Sequence, residues 1–125
     1  MNGHIAVGAN DGSVTIRDSM GEFGEIVKEL RDSGQWIEVA EYSPDGEKLA
    51  IGSHDTTIYV YSVPDYDLIG KCRKHNAAIT NLDWSLDSSY IRSVCIGYEL
   101  LFFTVPDCQQ DTDGASNTRG TTWAS

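Results

Sequence analysis

Basic residues, proline, cysteine and long apolar runs are all scarce in this 125-residue chain, and each scarcity excludes something. Only 9 Lys and Arg face 19 Asp and Glu, a formal charge of −10. With a pI near 4.4, such a surface repels phosphates and anionic lipids, which argues against nucleic-acid clamps and membrane-surface binders. The longest uncharged apolar stretch is Leu100 to Val105, far below the roughly 20 residues that span a bilayer. No signal peptide is expected, because Asn2-Gly3-His4 leads into a short strand-like run and not a long apolar core. Three prolines and 12 glycines beside 40% hydrophobic residues describe a globular chain and not a disordered one. The length fits about one domain.

The three cysteines, Cys72, Cys95 and Cys108, are odd in number and spaced by 23 and 13. These spacings match no disulfide framework and no C-x-x-C metal knuckle. Free thiols packed as small hydrophobes in strands, in a reducing compartment, are therefore expected. The lack of any N-x-[ST] sequence agrees with an intracellular protein.

What the chain does contain is repetition. Tyr42-Ser43-Pro44-Asp45-Gly46 is matched 42 residues later by Trp84-Ser85-Leu86-Asp87-Ser88. Lys48-Leu49-Ala50-Ile51-Gly52-Ser53-His54-Asp55 is matched 44 residues earlier by His4-Ile5-Ala6-Val7-Gly8-Ala9-Asn10-Asp11. Ile58-Tyr59-Val60-Tyr61 aligns with Val14-Thr15-Ile16-Arg17 before it and Leu100-Leu101-Phe102-Phe103 after it. Both offsets fall within the period of about 40–45 residues of four-stranded propeller blades. Within one repeat, Ile37 to Tyr42 opens the blade and Ser43-Pro44-Asp45-Gly46 supplies a tight turn. Leu49 to Gly52 is a small buried strand, and Thr57 to Tyr61 is rich in β-branched and aromatic residues. Asp67 to Cys72 is the outer edge strand, and Glu25 to Arg31 takes the same place one repeat earlier. No sustained 3.6-residue apolar period occurs. The chain is predicted to be all-β.

The count of strands predicts a partial β-propeller of roughly two and a half four-stranded blades, where closure needs about 4–8. Residues 1–34 form an incomplete first blade, 35–74 a complete one, and 75–107 a third with three clear strands. Residues 108–125 are a polar loop or tail leading toward a next blade, which Trp123 opens. A wedge of this kind exposes two apolar blade faces, so further blades from a longer polypeptide or another chain are expected to cover them.

With the repeat in place, the strings Leu49-Ala50-Ile51-Gly52-Ser53-His54-Asp55, Ile58 to Tyr61, His75, Ile79 to Asp87, Tyr90-Ile91 and Tyr98 to Leu101 resemble WD-repeat proteins. More specifically, they resemble the echinoderm microtubule-associated protein-like family, whose atypical repeats build a tandem pair of propellers. The similarity covers most of residues 4–107. It departs from the WD pattern at the Trp-Asp dipeptide, replaced by Arg17-Asp18, Tyr61-Ser62 and Phe103-Thr104. The blade-opening Gly-His is Lys74-His75 once and absent near Gly34-Gln35. The turn aspartate at Asp11 and Asp55 becomes Gly97. The usual His–Ser/Thr–Asp–Trp hydrogen-bond network is therefore expected complete in no blade, and partly satisfied polar networks lower stability.

Candidate chemistry is sparse. His75 reads as a blade-opening histidine bonded within its own blade, ahead of a ligand or base. His54 reads as a turn residue beside Asp55, and His4 carries no weight. Asp11, Asp55, His75 and Trp84 are assigned structural blade roles. No nucleophile elbow supports a hydrolytic triad, and Gly8 to Gly12 precedes a strand, so it cradles no phosphate. Asp111-Thr112-Asp113-Gly114 begins like a calcium loop, but its twelfth position is Thr122 and not Glu. No metal, cofactor or catalytic residue is predicted. Tyr59, Tyr61, Trp84, Phe102 and Phe103 are an aromatic set whose strand positions assign most of them to blade packing and a minority to an interaction surface. The resemblance implies a non-enzymatic binding platform of a cytoplasmic, cytoskeletal, microtubule-associated protein, with tubulin or another cytoskeletal partner. A WD-repeat scaffold for another intracellular assembly is the alternative, and a propeller enzyme a remote one. Lys71, Arg73 and Lys74 are the candidate protein-binding patch, since they gather three of the 9 basic residues on an otherwise acidic wedge.

Overall fold

A computed structural model of the chain describes residues 4–18, 26–63, 65–73, 75, 77–96, 100–105, 108–110 and 123. These residues form three antiparallel sheets, each a simple meander. The first sheet holds β1 (His4–Gly8), β2 (Val14–Asp18) and β3 (Ile26–Leu30). The second holds β4 (Ile37–Tyr42), β5 (Lys48–Ser53), β6 (Ile58–Ser62) and β7 (Leu68–Cys72). The third holds β8 (Ile79–Trp84), β9 (Tyr90–Cys95), β10 (Leu100–Thr104) and β11 (Gln109–Gln110). No helix occurs among the described residues. The fold is a partial β-propeller.

The meanders follow from local chemistry. Gly46 takes a positive φ of 72° in the turn between β4 and β5, where a side-chain-free residue carries no steric penalty. Ser43 N–H donates to Lys48 O at 2.9 Å and closes that turn. One repeat later, Ser85 N–H donates to Tyr90 O at 3.0 Å, and Ser88 occupies the same left-handed position at φ 63°. The registers Lys48↔Ser62 to Gly52↔Ile58 and Leu100↔Val94 to Thr104↔Tyr90 are regular and antiparallel. Bulges interrupt β4 between Ile37 and Val39 and β8 between Ile79 and Asn81, at matching places in the two blades.

Packing between blades divides the core in two. One face of the second sheet presents Leu49, Ile51, Tyr59 and Tyr61 to Val14, Ile16 and Leu30 of the first. Its other face presents Ala50, Ile58, Val60 and Cys72 to Leu82, Trp84, Ile91 and Phe103 of the third. Covered on both sides, β5 and β6 read as nearly continuous apolar runs and not as alternating strands. The far sides of the first and third sheets stay open, with Ile5, Val7, Ile26 and Leu100 in solvent.

Two expectations need correction. Cys72 and Cys108 form a disulfide with Cα atoms 4.9 Å apart, so the three thiols are not all free; Cys95 alone is, and it is buried. Cys72 ends the last strand of the second sheet and Cys108 immediately precedes the last strand of the third. Only the stacking of blades brings them together across 36 residues of sequence. The cysteine count therefore gives no argument for a reducing compartment. The segment after residue 107, expected to be a loop, contributes β11, which pairs Gln109 with Thr104 and Gln110 with Phe103. Two glutamines carry no apolar alternation, so backbone pairing alone marks this strand. Trp123 makes an isolated bridge with Ser85.

Candidate interaction surface

The loops entering each first strand and the turns between second and third strands gather at one end of the wedge. Backbone bonds tie them together: Ile37 N–H to Ala9 O at 3.1 Å, His54 N–H to Trp36 O at 2.9 Å, and Ile96 N–H to Ala78 O at 2.9 Å. Each residue singled out in the sequence for a blade role lies on this framework or between its sheets.

Asp11, in the β1–β2 turn, accepts from Ser13 Oγ at 2.6 Å and Ser13 N–H at 2.9 Å, with Arg31 at 3.8 Å. The Ser13 hydroxyl, then the Ser13 amide, holds its carboxyl below the ordinary value. Asp55, in the β5–β6 turn, accepts from Thr57 N–H at 3.0 Å, from Ser33 Oγ at 3.3 Å and from the Tyr59 hydroxyl. Ser33 Oγ also bonds Ser53 Oγ at 2.7 Å. Different residue types thus close a polar network in the second blade, where no His–Ser/Thr–Asp–Trp set exists. Burial first, and Asp55 second, push the Tyr59 phenol up to about 12. Burial and the bond to Asp32 at 2.8 Å raise Tyr61 further. In the third blade His75 is buried, and its Nε2 lies 2.6 Å from Ser93 Oγ. Trp84 is buried, and its indole N–H donates to Glu41 O at 3.0 Å, joining β8 to β4.

The structure brings two members of the predicted basic patch together and leaves the third undescribed. Lys71 is exposed on β7 with Nζ 5.7 Å from the Tyr59 ring centre. Arg73 is exposed just beyond, near enough to Tyr59 to oppose the rise in its pKa. Lys74 lies outside the described residues, as does the calcium-like run 111–114. Of the aromatic set, Tyr59, Tyr61, Trp84 and Phe103 are buried and Phe102 is half-buried. Among the described residues the exposed aromatic is Trp36, which no motif of the sequence singles out. Its signal was present: the repeat places a tryptophan at a position where the next blade has Ala78.

A groove of about 250 Å³ crosses the open side of the third sheet, lined by Asn81, Leu82, Asp83, Arg92, Val94 and Leu100. Arg92 donates to Asp83 at 2.9 Å, and its guanidinium stacks 4.4 Å from the Trp123 ring centre. Among the described residues, no group of three His, Cys, Asp or Glu side chains is placed to hold a metal ion.

The whole chain, residues 1–125, matches the family model of the echinoderm microtubule-associated protein second beta-propeller. The chain belongs to this family. It is 57% identical over 122 residues to the ciliary WD repeat-containing protein ctxp80 of Euplotoides octocarinatus, covering 98% of this chain and 17% of that protein. It is 39% identical over 124 residues to human echinoderm microtubule-associated protein-like 3, covering 96% of this chain and 14% of the relative. The 77 kDa echinoderm microtubule-associated protein of Lytechinus variegatus is 36% identical over 124 residues, 96% of this chain and 18% of the relative. The chain therefore spans less than a fifth of each of these relatives, and the family's second propeller is the part it matches.

Proposed function

We propose that the wedge is part of a non-enzymatic protein-interaction platform in a cytoplasmic, microtubule-associated WD-repeat protein, with tubulin or another cytoskeletal protein as partner. The observation that carries this reading is the match to the family's second propeller over all 125 residues. Further blades of the same polypeptide cover the open sides of the first and third sheets, where the apolar residues Ile5, Val7, Ile26 and Leu100 lie. Lys71, Arg73 and Lys74 are the contact for an acidic partner. Screening at physiological salt confines interactions to about 8 Å, so a local cationic patch operates on a chain of net charge −10.

The test is co-sedimentation of the intact protein with microtubules before and after reversing those three charges. Weaker binding, most marked at low salt, with an unchanged thermal transition, is expected. Unchanged sedimentation would overturn the patch. The charge of −10 also favours a second reading, binding of unpolymerised tubulin or a different assembly over docking along an acidic filament wall. Pull-down of soluble tubulin by the intact protein separates the two.

A further inference from the structure

The end of the wedge that gathers the turns also presents an exposed aromatic. Trp36 leads into β4 with 48% of its surface open, yet it is held at several points. Its indole stacks on the His54 ring at 4.7 Å between centroids and 27° between planes. Its carbonyl accepts the His54 N–H. His54 Nε2 in turn lies 3.4 Å from Glu38 Oε2. Glu38 is the bulged residue of β4, between Ile37 and Val39, and a bulge re-aims the side chain it carries.

The fold does not demand this trio. One repeat on, 42 residues later, the corresponding residues are Ala78, Thr80 and Ile96. That blade makes the same backbone bond, Ile96 N–H to Ala78 O at 2.9 Å, with no aromatic ring and no carboxylate. Trp36, Glu38 and His54 are thus extra to what closes a blade, and they form a rigid, half-open indole beside a carboxylate.

We propose that Trp36, His54 and Glu38 form a recognition site for a cationic side chain, arginine or lysine, carried on a basic extended segment of a partner protein. A cation over an indole face is attracted by the ring quadrupole, and the Glu38 carboxylate completes the charge. The chain's −10 charge favours a basic segment over nucleic acid or an anionic membrane. Because the ring is already fixed by its stack, little ordering opposes binding. This site uses none of the residues of the Lys71 patch, and it takes a partner of opposite charge.

The test uses the intact protein and a fluorescein-labelled Gly-Arg repeat peptide, read by anisotropy. The control is the same peptide with citrulline for arginine, which keeps the shape and removes the charge. The arginine peptide is expected to bind, and Trp36→Ala to weaken it roughly five-fold or more, the range of one cation–π contact. Glu38→Gln is expected to weaken it several-fold while preserving the stack, so a folding defect in the first variant does not protect the proposal. Diffuse attraction between a polycation and an acidic protein would survive Trp36→Ala unchanged. Equal binding by Trp36→Ala or Glu38→Gln, equal binding of the citrulline peptide, or tighter binding of a Gly-Glu repeat peptide would each overturn the site.

Discussion

Single side chains stitch one blade to the next. The Trp84 indole N–H reaches Glu41 O, and Ser88 Oγ accepts Asp45 N–H at 3.2 Å, so β8 and its turn are tied to β4 and its turn. Trp84→Phe keeps a ring in the core but removes the donor to the Glu41 carbonyl and with it this inter-blade bond. It should lower unfolding stability by about 1–3 kcal/mol in urea titration of the intact protein, whereas Trp36→Phe should change it by less than about 0.5 kcal/mol. The buried tyrosines make a second prediction. Tyr59 titrates at about 12 in the fold against an ordinary 10.0, so its neutral form is the one folding favours. The stability it supplies is whole below about pH 10 and is lost as the pH rises toward 12. Thermal midpoints measured across that interval should fall, and Tyr59→Phe should flatten part of the fall. A slope identical in the variant would assign it to Tyr61 and Tyr42, which burial also raises.

At the scale of elements, turns and edges decide how firmly a blade holds. The repeated Ser-x-Asp turns use one arrangement twice: Ser43 Oγ bonds Asp45, and Ser85 Oγ bonds Asp87 at 2.7 Å. The outer strands are weaker, since β11 has only two residues. There the Cys72–Cys108 disulfide anchors the last strand of one blade against that of the next. Closing a 36-residue loop restricts the unfolded chain by about 4 kcal/mol in the chain-entropy model. A thiol reductant should therefore lower the melting temperature of the oxidised protein, and Cys108→Ser should start lower and ignore the reductant. A melting temperature indifferent to both would show that the crosslink does not constrain the unfolded chain.

For the molecule as a whole, the second sheet is the keystone, because both of its faces are covered while each neighbour has one face open. Residues 1–125 produced alone should bind a hydrophobic dye and self-associate through Ile5, Val7, Ile26 and Leu100. A monodisperse, dye-silent monomer with a cooperative transition would contradict this. The acidic end of the pH scale belongs here too, because it sums over several turns. Asp11 and Asp87 are held below the ordinary 3.8 by Ser13 and Ser85 respectively. In Asp45, burial pushes upward, but Ser43, the Glu47 amide and Lys48 together outweigh it. Folded values below unfolded ones contribute stability above about pH 4 that is lost as the pH falls through the depressed values. Acid titration of the intact protein followed by circular dichroism should show that loss, shifted upward in Ser85→Ala.

The sequence by itself determined β1 to β10, their antiparallel pairing and the all-β partial-propeller fold, because these rest on local signals: turn residues at fixed offsets, β-branched runs and a repeat near 42–44 residues; β11, two glutamines with no such signal, was not legible. Tertiary structure alone decided three things. The Cys72–Cys108 bond depends on two edge strands meeting across a blade boundary, which no spacing rule encodes. Ser33, Ser53, Asp55 and Tyr59 share hydrogen bonds only because the loop into β4 folds over the β5–β6 turn. Most of the aromatic set packs in the core as its strand positions imply, while the exposure of Trp36 was left to the tertiary structure, because a side chain's exposure depends on which neighbouring blade covers it. Periodicity in one chain gives the face of a strand but not what lies against it.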